Sequence, residues 1–365
     1  MASIHSSLAL CLLIITLRVP TSRTWSISVI PSFHQKSLRK SGVTLDTEGP
    51  FEFESTGIPV PSFLQEKWNK YRIQRRRKSN EKSSVSSLGQ LPWIGDSMES
   101  KSNNNVFLSH WKWQLEFFQS QLTNLRVNSQ DNSTCQNLMY IESDGASSKG
   151  AAKKQRIYTL SLQSEEYRDI RMTYLLCGDQ SQIFRCTCYP RNDMPILGMG
   201  LMQLGNHRNV AIIDFQPLLH DGDDETSLAE QSRFTRRLQD IRSSFKSMQH
   251  PMSDRHFDPN EQKYFTANPI IGKWIKDDDD ALKNWQDLQQ VHRDCVQAHV
   301  ALTQDSNGGR TDRNVHVQQL HSDYDTFVAS KEPAGQLLSS AFGKDVAHRL
   351  VHQVIFPLSQ QQQLL

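Results

Sequence analysis

An α+β fold, with one antiparallel β-sheet covered by helices, is what this sequence predicts, and three observations predict it. Between residues 156 and 215 the apolar pattern has a period of two, the mark of strands whose side chains alternate between faces. The links between these segments are Gly178-Asp179-Gln180-Ser181, the stretch from Pro190 to Pro195, and Gly205-Asn206-His207-Arg208. They are too short to cross over a sheet, so neighbouring strands run antiparallel. After Pro217 the period lengthens to three or four, so helices follow the strands instead of alternating with them.

Taken in order, the chain begins with an address. Residues 8–17 (LALCLLIITL) form an apolar run too short to span a bilayer and long enough for a signal-peptide core. Residues 1–45 hold five Lys and Arg and no Asp or Glu, and after Pro20-Thr21-Ser22 they turn Ser-rich and basic, as transit peptides do. The two parts together predict a plastid address read through the endoplasmic reticulum. The alternative is a plain secretory signal, which the Asn132-Ser133-Thr134 sequon fits. Residues 46–104 mix Gly, Pro, Ser and Asn with charges, including Arg75-Arg76-Arg77-Lys78, and read as a disordered linker with one short helix near 63–71. With 37% hydrophobic residues and a mean hydropathy of −0.58, the chain is too polar to be packed throughout. The folded domain is predicted over 105–360.

A helix is expected over 106–125, where Phe107, Trp111, Leu115, Phe118 and Leu122 recur at helical spacing. Strands follow at 156–162, 169–177, 182–189, 196–204 and 209–215. Residues 227–248 form a helix carrying Arg233, Arg236, Arg237, Arg242 and Lys246. The run Asp277–Asp280 opens a helix over 281–302, where negative charge suits the dipole; it lacks the Gly and distal Glu of a calcium loop. A last helical region spans 333–356, broken at Gly343.

Several functions are excluded by composition. A net charge of +2 argues against a general nucleic-acid binder, and no apolar run after residue 20 is long enough for a membrane span. Cys186 and Cys188 share a strand face but lack the second pair that structural zinc needs, so they read as buried thiols. Gly198-Met199-Gly200 lies inside a strand, not before a helix, and is a poor dinucleotide fingerprint. No metal or bound cofactor is called for.

Three stretches carry a resemblance. They are residues 189–218 (YPRNDMPILGMGLMQLGNHRNVAIIDFQPL), His256-Phe257-Asp258-Pro259-Asn260 with Tyr264-Phe265, and Ser330-Lys331-Glu332-Pro333 through Phe342-Gly343-Lys344-Asp345 to Phe356-Pro357-Leu358-Ser359. In this order they resemble the ferredoxin-dependent bilin reductases, most of all the 15,16-dihydrobiliverdin:ferredoxin oxidoreductase branch. The resemblance implies a sheet flanked by helices on both faces, an α/β/α sandwich. It implies reduction of a linear tetrapyrrole, biliverdin IXα to 15,16-dihydrobiliverdin, with reduced ferredoxin as electron donor and no bound flavin, metal or nicotinamide. The implied partners are ferredoxin, the bilin, and a second bilin reductase that receives the product by channelling.

Carried over residue by residue, the resemblance implies a catalytic carboxylate at Glu332 and substrate contacts at Gly200, Arg185 and Thr173. Asp214 is a further candidate for substrate contact. At residue 200 the family's proton-donating Asp is replaced by Gly. That departure keeps two other readings open, a bilin-binding protein without reductase activity and a reductase of different regiospecificity. Ferredoxins of the plant type are acidic, so the cluster Arg233, Arg236 and Arg237 is the expected docking site.

Overall fold

The computed structural model describes residues 91–92, 105–128, 140–144, 154–177, 181–205, 207–218, 225–250, 259–305, 314–332 and 334–359. The expected presequence, the basic run and short helix of the expected linker, and the sequon lie outside these residues; of the expected linker only Leu91 and Pro92 are described, and Leu91 is buried in the hydrophobic core, so it does not belong to a disordered segment.

Eight strands form one sheet: β1 (Arg126–Val127), β2 (Tyr140–Asp144), β3 (Lys154–Gln163), β4 (Tyr167–Cys177), β5 (Ser181–Pro190), β6 (Ile196–Leu204), β7 (Arg208–Gln216) and β8 (Ile270–Ile275). The spatial order is β1-β3-β4-β5-β6-β7-β8, with β2 also pairing β3, and every pairing between strands is antiparallel. The five strands read from the period of two are all present and consecutive. Three more, β1, β2 and β8, join at the edges. They escape the pattern because β1 has two residues, two of the five residues of β2 (YIESD) are charged, and β8 carries Gly272 at its centre.

The helices are α1 (Leu108–Gln121), α2 (Glu225–Ser244), the short α3 (Pro259–Gln262), α4 (Ala281–Asp305), α5 (Asn314–Lys331), α6 (Ala334–Phe342) and α7 (Lys344–Arg349). The chain then passes into a π-helical turn, Leu350–Ile355. Gly343 separates α6 from α7 at φ +86°, a left-handed conformation that an L side chain resists. Helix α5 was not legible as a periodic segment. Its buried positions include His321, Ser322 and Asp325 beside Tyr324 and Val328, so polar residues interrupt the apolar stripe.

The core is split by the sheet. On one side Ile170, Met172, Phe184, Leu197, Met199 and Ile213 pack against Trp111 and Phe118 of α1, Phe234 and Leu238 of α2, and Leu288 and Val291 of α4. On the other side Leu175, Ile183, Ile196, Met202 and Ile212 meet Tyr324 and Val328 of α5, Leu338 of α6, and Leu350 and Val354 of the C-terminal turn. Helices thus flank both faces, as the resemblance implies. Cys186 and Cys188 are buried on the first face with their sulfurs 3.6 Å apart, and Gln114 Nε2 donates to Cys186 Sγ. Among the described residues no group of three or more His, Cys, Asp or Glu is placed to hold a metal ion.

Candidate functional site

The two faces of the central strands differ in chemistry. The α1/α2/α4 face of β4 to β7 is apolar along its length except at one end, where Gln182, Gln203 and Asn209 form a buried polar row. The opposite face has apolar ends and a buried polar middle, because every second residue there is Thr, Ser, Asp, Arg, Gln or Gly. Strand register arranges these residues in rows across the sheet. One row runs Thr159, Thr173, Arg185, Gly200, Ile212, and the next runs Ser161, Arg171, Thr187, Gly198, Asp214.

The first row gathers most of the expected site. Thr173 shares a 2.9 Å hydrogen bond with Thr159. Arg185 lies beside Thr173 and donates from Nη1 to Glu332 Oε2 at 2.9 Å. Its guanidinium also lies over the Phe356 ring, 4.4 Å from the centroid. Glu332 follows α5, and its Oε1 accepts the Ala334 N–H at 3.0 Å at the start of α6. It therefore does what a helix-start carboxylate does, yet its side chain is 1% exposed and is held by a cation from the centre of the sheet.

Gly200 completes the row. A Cβ built on it meets nothing within 4 Å, so the space in front of this strand is open. Gly198, two residues earlier on the same face, is the contrary case. There a Cβ would run into the carboxamide of Gln216, whose Oε1 accepts the Tyr324 hydroxyl at 2.5 Å. One glycine is required by close approach, and the other leaves room.

Asp214 ends the second row and is fully buried. Both its oxygens accept from Thr266, one from the backbone N–H at 3.1 Å and one from the hydroxyl. Burial pushes its carboxyl up to about 7 against these hydrogen bonds. The structure thus places Asp214 next to the open row but with its oxygens turned to Thr266.

A second polar network was missed from sequence. Asp169 accepts from Ser161 at 2.9 Å and from Arg171 Nε at 2.5 Å, and Arg171 Nη1 donates to the Val354 carbonyl in the π-helical turn. That turn alters the usual helical hydrogen bonding, and Arg171 supplies a donor to one of its carbonyls. Next to it Tyr189 donates to Asp325 at 2.7 Å, and Asp325 also accepts the Leu358 N–H at 3.1 Å. Burial lifts Asp325 to about 6, while the same burial with Arg168 nearby keeps His321 well below its ordinary value. The available signal was Asp169 and Arg171 at i and i+2 in a strand otherwise buried on both sides. Together these bonds tie the C-terminal segment, and with it Phe356, to the sheet.

Arg233, Arg236 and Arg237 lie elsewhere. Helix α2 buries Phe234, Leu238 and Ile241 in the layer with α1 and α4, so the sheet stands between this cluster and the Arg185–Glu332 pair. Arg236 is exposed, and Arg233 reaches Asp305 of α4 at 3.5 Å.

Comparison with known proteins identifies the family and the fold. A family model described as ferredoxin-dependent bilin reductase matches residues 119–357. A 15,16-dihydrobiliverdin:ferredoxin oxidoreductase of Nostoc punctiforme is 27% identical over 197 residues, covering 53% of this chain and 75% of that protein. One from Prochlorococcus marinus is 30% identical over 196 residues, covering 53% and 77%. The crystal structure of phytochromobilin synthase from tomato in complex with biliverdin superposes with a TM-score of 0.54 at 16% identity, over 70% of this chain and 84% of that one. At that identity the likeness is one of fold.

Proposed function

This chain belongs to the ferredoxin-dependent bilin reductase family, and from that premise we propose that it reduces biliverdin IXα to 15,16-dihydrobiliverdin with electrons from ferredoxin. The observation that supports this reading is the buried polar row Thr173, Arg185 and Gly200 with Glu332 above it, on the sheet face away from α1, α2 and α4. A tetrapyrrole laid against that row meets a cation, a carboxyl group and hydroxyls inside an apolar frame, the combination that orients a large flat ligand and moves protons to it. The names of the relatives support the 15,16 bond as the site of reduction. The basic, acid-free residues 1–45 support a plastid location.

A second reading is favoured by one residue. Gly200 has no proton to give, which suits a protein that binds a bilin without reducing it, or one that reduces a different double bond. The test is an anaerobic assay of the purified chain with biliverdin, ferredoxin and a reducing system, with products separated by chromatography. Formation of 15,16-dihydrobiliverdin supports the first reading. A bound but unchanged bilin, or a different dihydro product, replaces it with the second.

A further inference from the structure

Two histidines face each other at the C-terminal end of the fold. His348 lies on α7 and is exposed, and His352 lies in the π-helical turn and is half-buried. Four positions apart, they share one side of the helical path, and their ring centroids are 4.5 Å apart.

The hydrogen bonds around His352 fix its tautomer. Ser359 Oγ donates its only proton to the Phe356 carbonyl at 2.7 Å. In its 2.9 Å contact with His352 Nδ1 the hydroxyl oxygen must therefore accept, so Nδ1 carries the hydrogen and Nε2 keeps a lone pair. An imidazole held through the N–H of one nitrogen, with a lone pair on the other, is the usual support of a metal-ligating histidine. Burial, with His348 beside it, lowers the His352 pKa below its ordinary value, so the ring is neutral at pH 7. The spacing also suits a shared ion. A metal–imidazole bond of about 2.0–2.1 Å puts the ring centre about 3.2 Å from the metal, so two imidazoles at right angles on one ion have centroids about 4.5 Å apart, and at the tetrahedral angle about 5.2 Å. The observed separation falls at the near end of that range, and an exposed His348 can turn to open it.

We propose that His348 and His352 form a surface site for a divalent transition-metal ion that prefers nitrogen ligands, Zn²⁺ above all, with water in the remaining positions. Imidazole pairs discriminate against Mg²⁺ and Ca²⁺, which prefer oxygen. The exposed charges of α7, Lys344, Asp345 and Arg349, include both signs, so selection comes from the nitrogens and not from charge. No step of bilin reduction is assigned to the ion, and the site does not depend on the bilin reading. Its consequence is mechanical. One ion held by both rings bridges the junction of α7 with the π-helical turn at Leu350. That turn offers the Val354 carbonyl to Arg171 and leads into Phe356, over which Arg185 lies. Metal binding should therefore steady the segment that closes on the sheet.

The experiment uses the full chain, free of any affinity tag and without bilin, whose nitrogens would compete for the ion. It is titrated with Zn²⁺ and, separately, with Mg²⁺ by calorimetry at pH 7.5, and backbone hydrogen exchange is followed by mass spectrometry with and without Zn²⁺. The expected result is a Zn²⁺ site that Mg²⁺ does not fill, with exchange slowed over residues 344–356. His348→Ala, at an exposed position, and His352→Ala should each remove that site and the local slowing. Ser359→Ala leaves both ligands in place and should weaken the site about 10–100-fold. Zn²⁺ binding that is the same in His348→Ala as in the unaltered chain, slowed exchange confined to other segments, equal binding of Mg²⁺, or no binding of Zn²⁺ overturns the proposal.

Discussion

Substituting Gly200 by Asp puts a carboxyl group where its strand faces the open row, and the structure says how the protein will respond. No backbone strain opposes the change, since the only described glycines with positive φ are Gly205 and Gly343. No atom lies within 4 Å of the new Cβ, so no overpacking term arises. Its partner across β5 is Arg185, and an opposite-charge cross-strand pair contributes about 0.2–1 kcal/mol. Gly200→Asp should therefore fold with a stability change of about 1 kcal/mol or less. Gly198→Asp is the matched control. It drives Gln216 from its bond with Tyr324 and should cost about 2–4 kcal/mol from overpacking and a lost buried hydrogen bond.

The effect on chemistry is larger. A positioned acid contributes about 10²–10⁴-fold to a proton-transfer step, or about 3–5 kcal/mol of barrier. Arg185 beside it favours the ionised carboxyl and discounts that gain, so an acceleration of about 10–10²-fold is expected. The assay is single-turnover reduction under anaerobic conditions with reduced ferredoxin, followed by absorbance, with affinity measured separately. A folded Gly200→Asp protein that binds biliverdin with unchanged affinity, rate and product would show that residue 200 does not face the bilin, and the placement of the ligand on this row would be wrong.

Other outcomes follow from the same geometry. Asp214 has a folded-state pKa raised to about 7, so its contribution to stability is complete below the unfolded value near 4 and is lost as pH rises through 7. Asp214→Asn should flatten that fall, making the variant about 2–4 kcal/mol less penalised between pH 5 and 8 than the unaltered chain in urea titrations. Arg171→Met leaves Asp169 buried without its cation and the Val354 carbonyl without its donor, and should lower stability by about 3–5 kcal/mol, read as a shift in denaturation midpoint. Adding Asp169→Asn should recover part of that loss. Reversing Arg233 and Arg237 to Glu should slow ferredoxin-driven turnover at low salt and leave bilin affinity alone; unchanged turnover assigns docking to another surface. Residues 1–45 fused to a reporter should deliver it to a plastid in an organism with secondary plastids, and a cytosolic reporter would refute the address.

The strands β3 to β7 and the helices α1, α2 and α4 were determined by the sequence alone, because period and link length are local properties. The short turns between Cys177 and Ser181 and between Leu204 and Arg208 already forced antiparallel neighbours. The resemblance likewise pointed to Arg185, Gly200, Thr173 and Glu332 one by one. What only the tertiary structure decided is which of these touch. Glu332 meets Arg185 because α5 and α6 pack on one particular face of the sheet, and a strand buried on both sides gives no local sign of which face that is. The same ambiguity hid the location of α2, whose cationic side was legible and whose layer was not. Asp169, Arg171 and Asp325 join one buried network only in the fold, since Arg171 bonds Val354 and Asp325 bonds Tyr189 and Leu358, on segments distant in the chain.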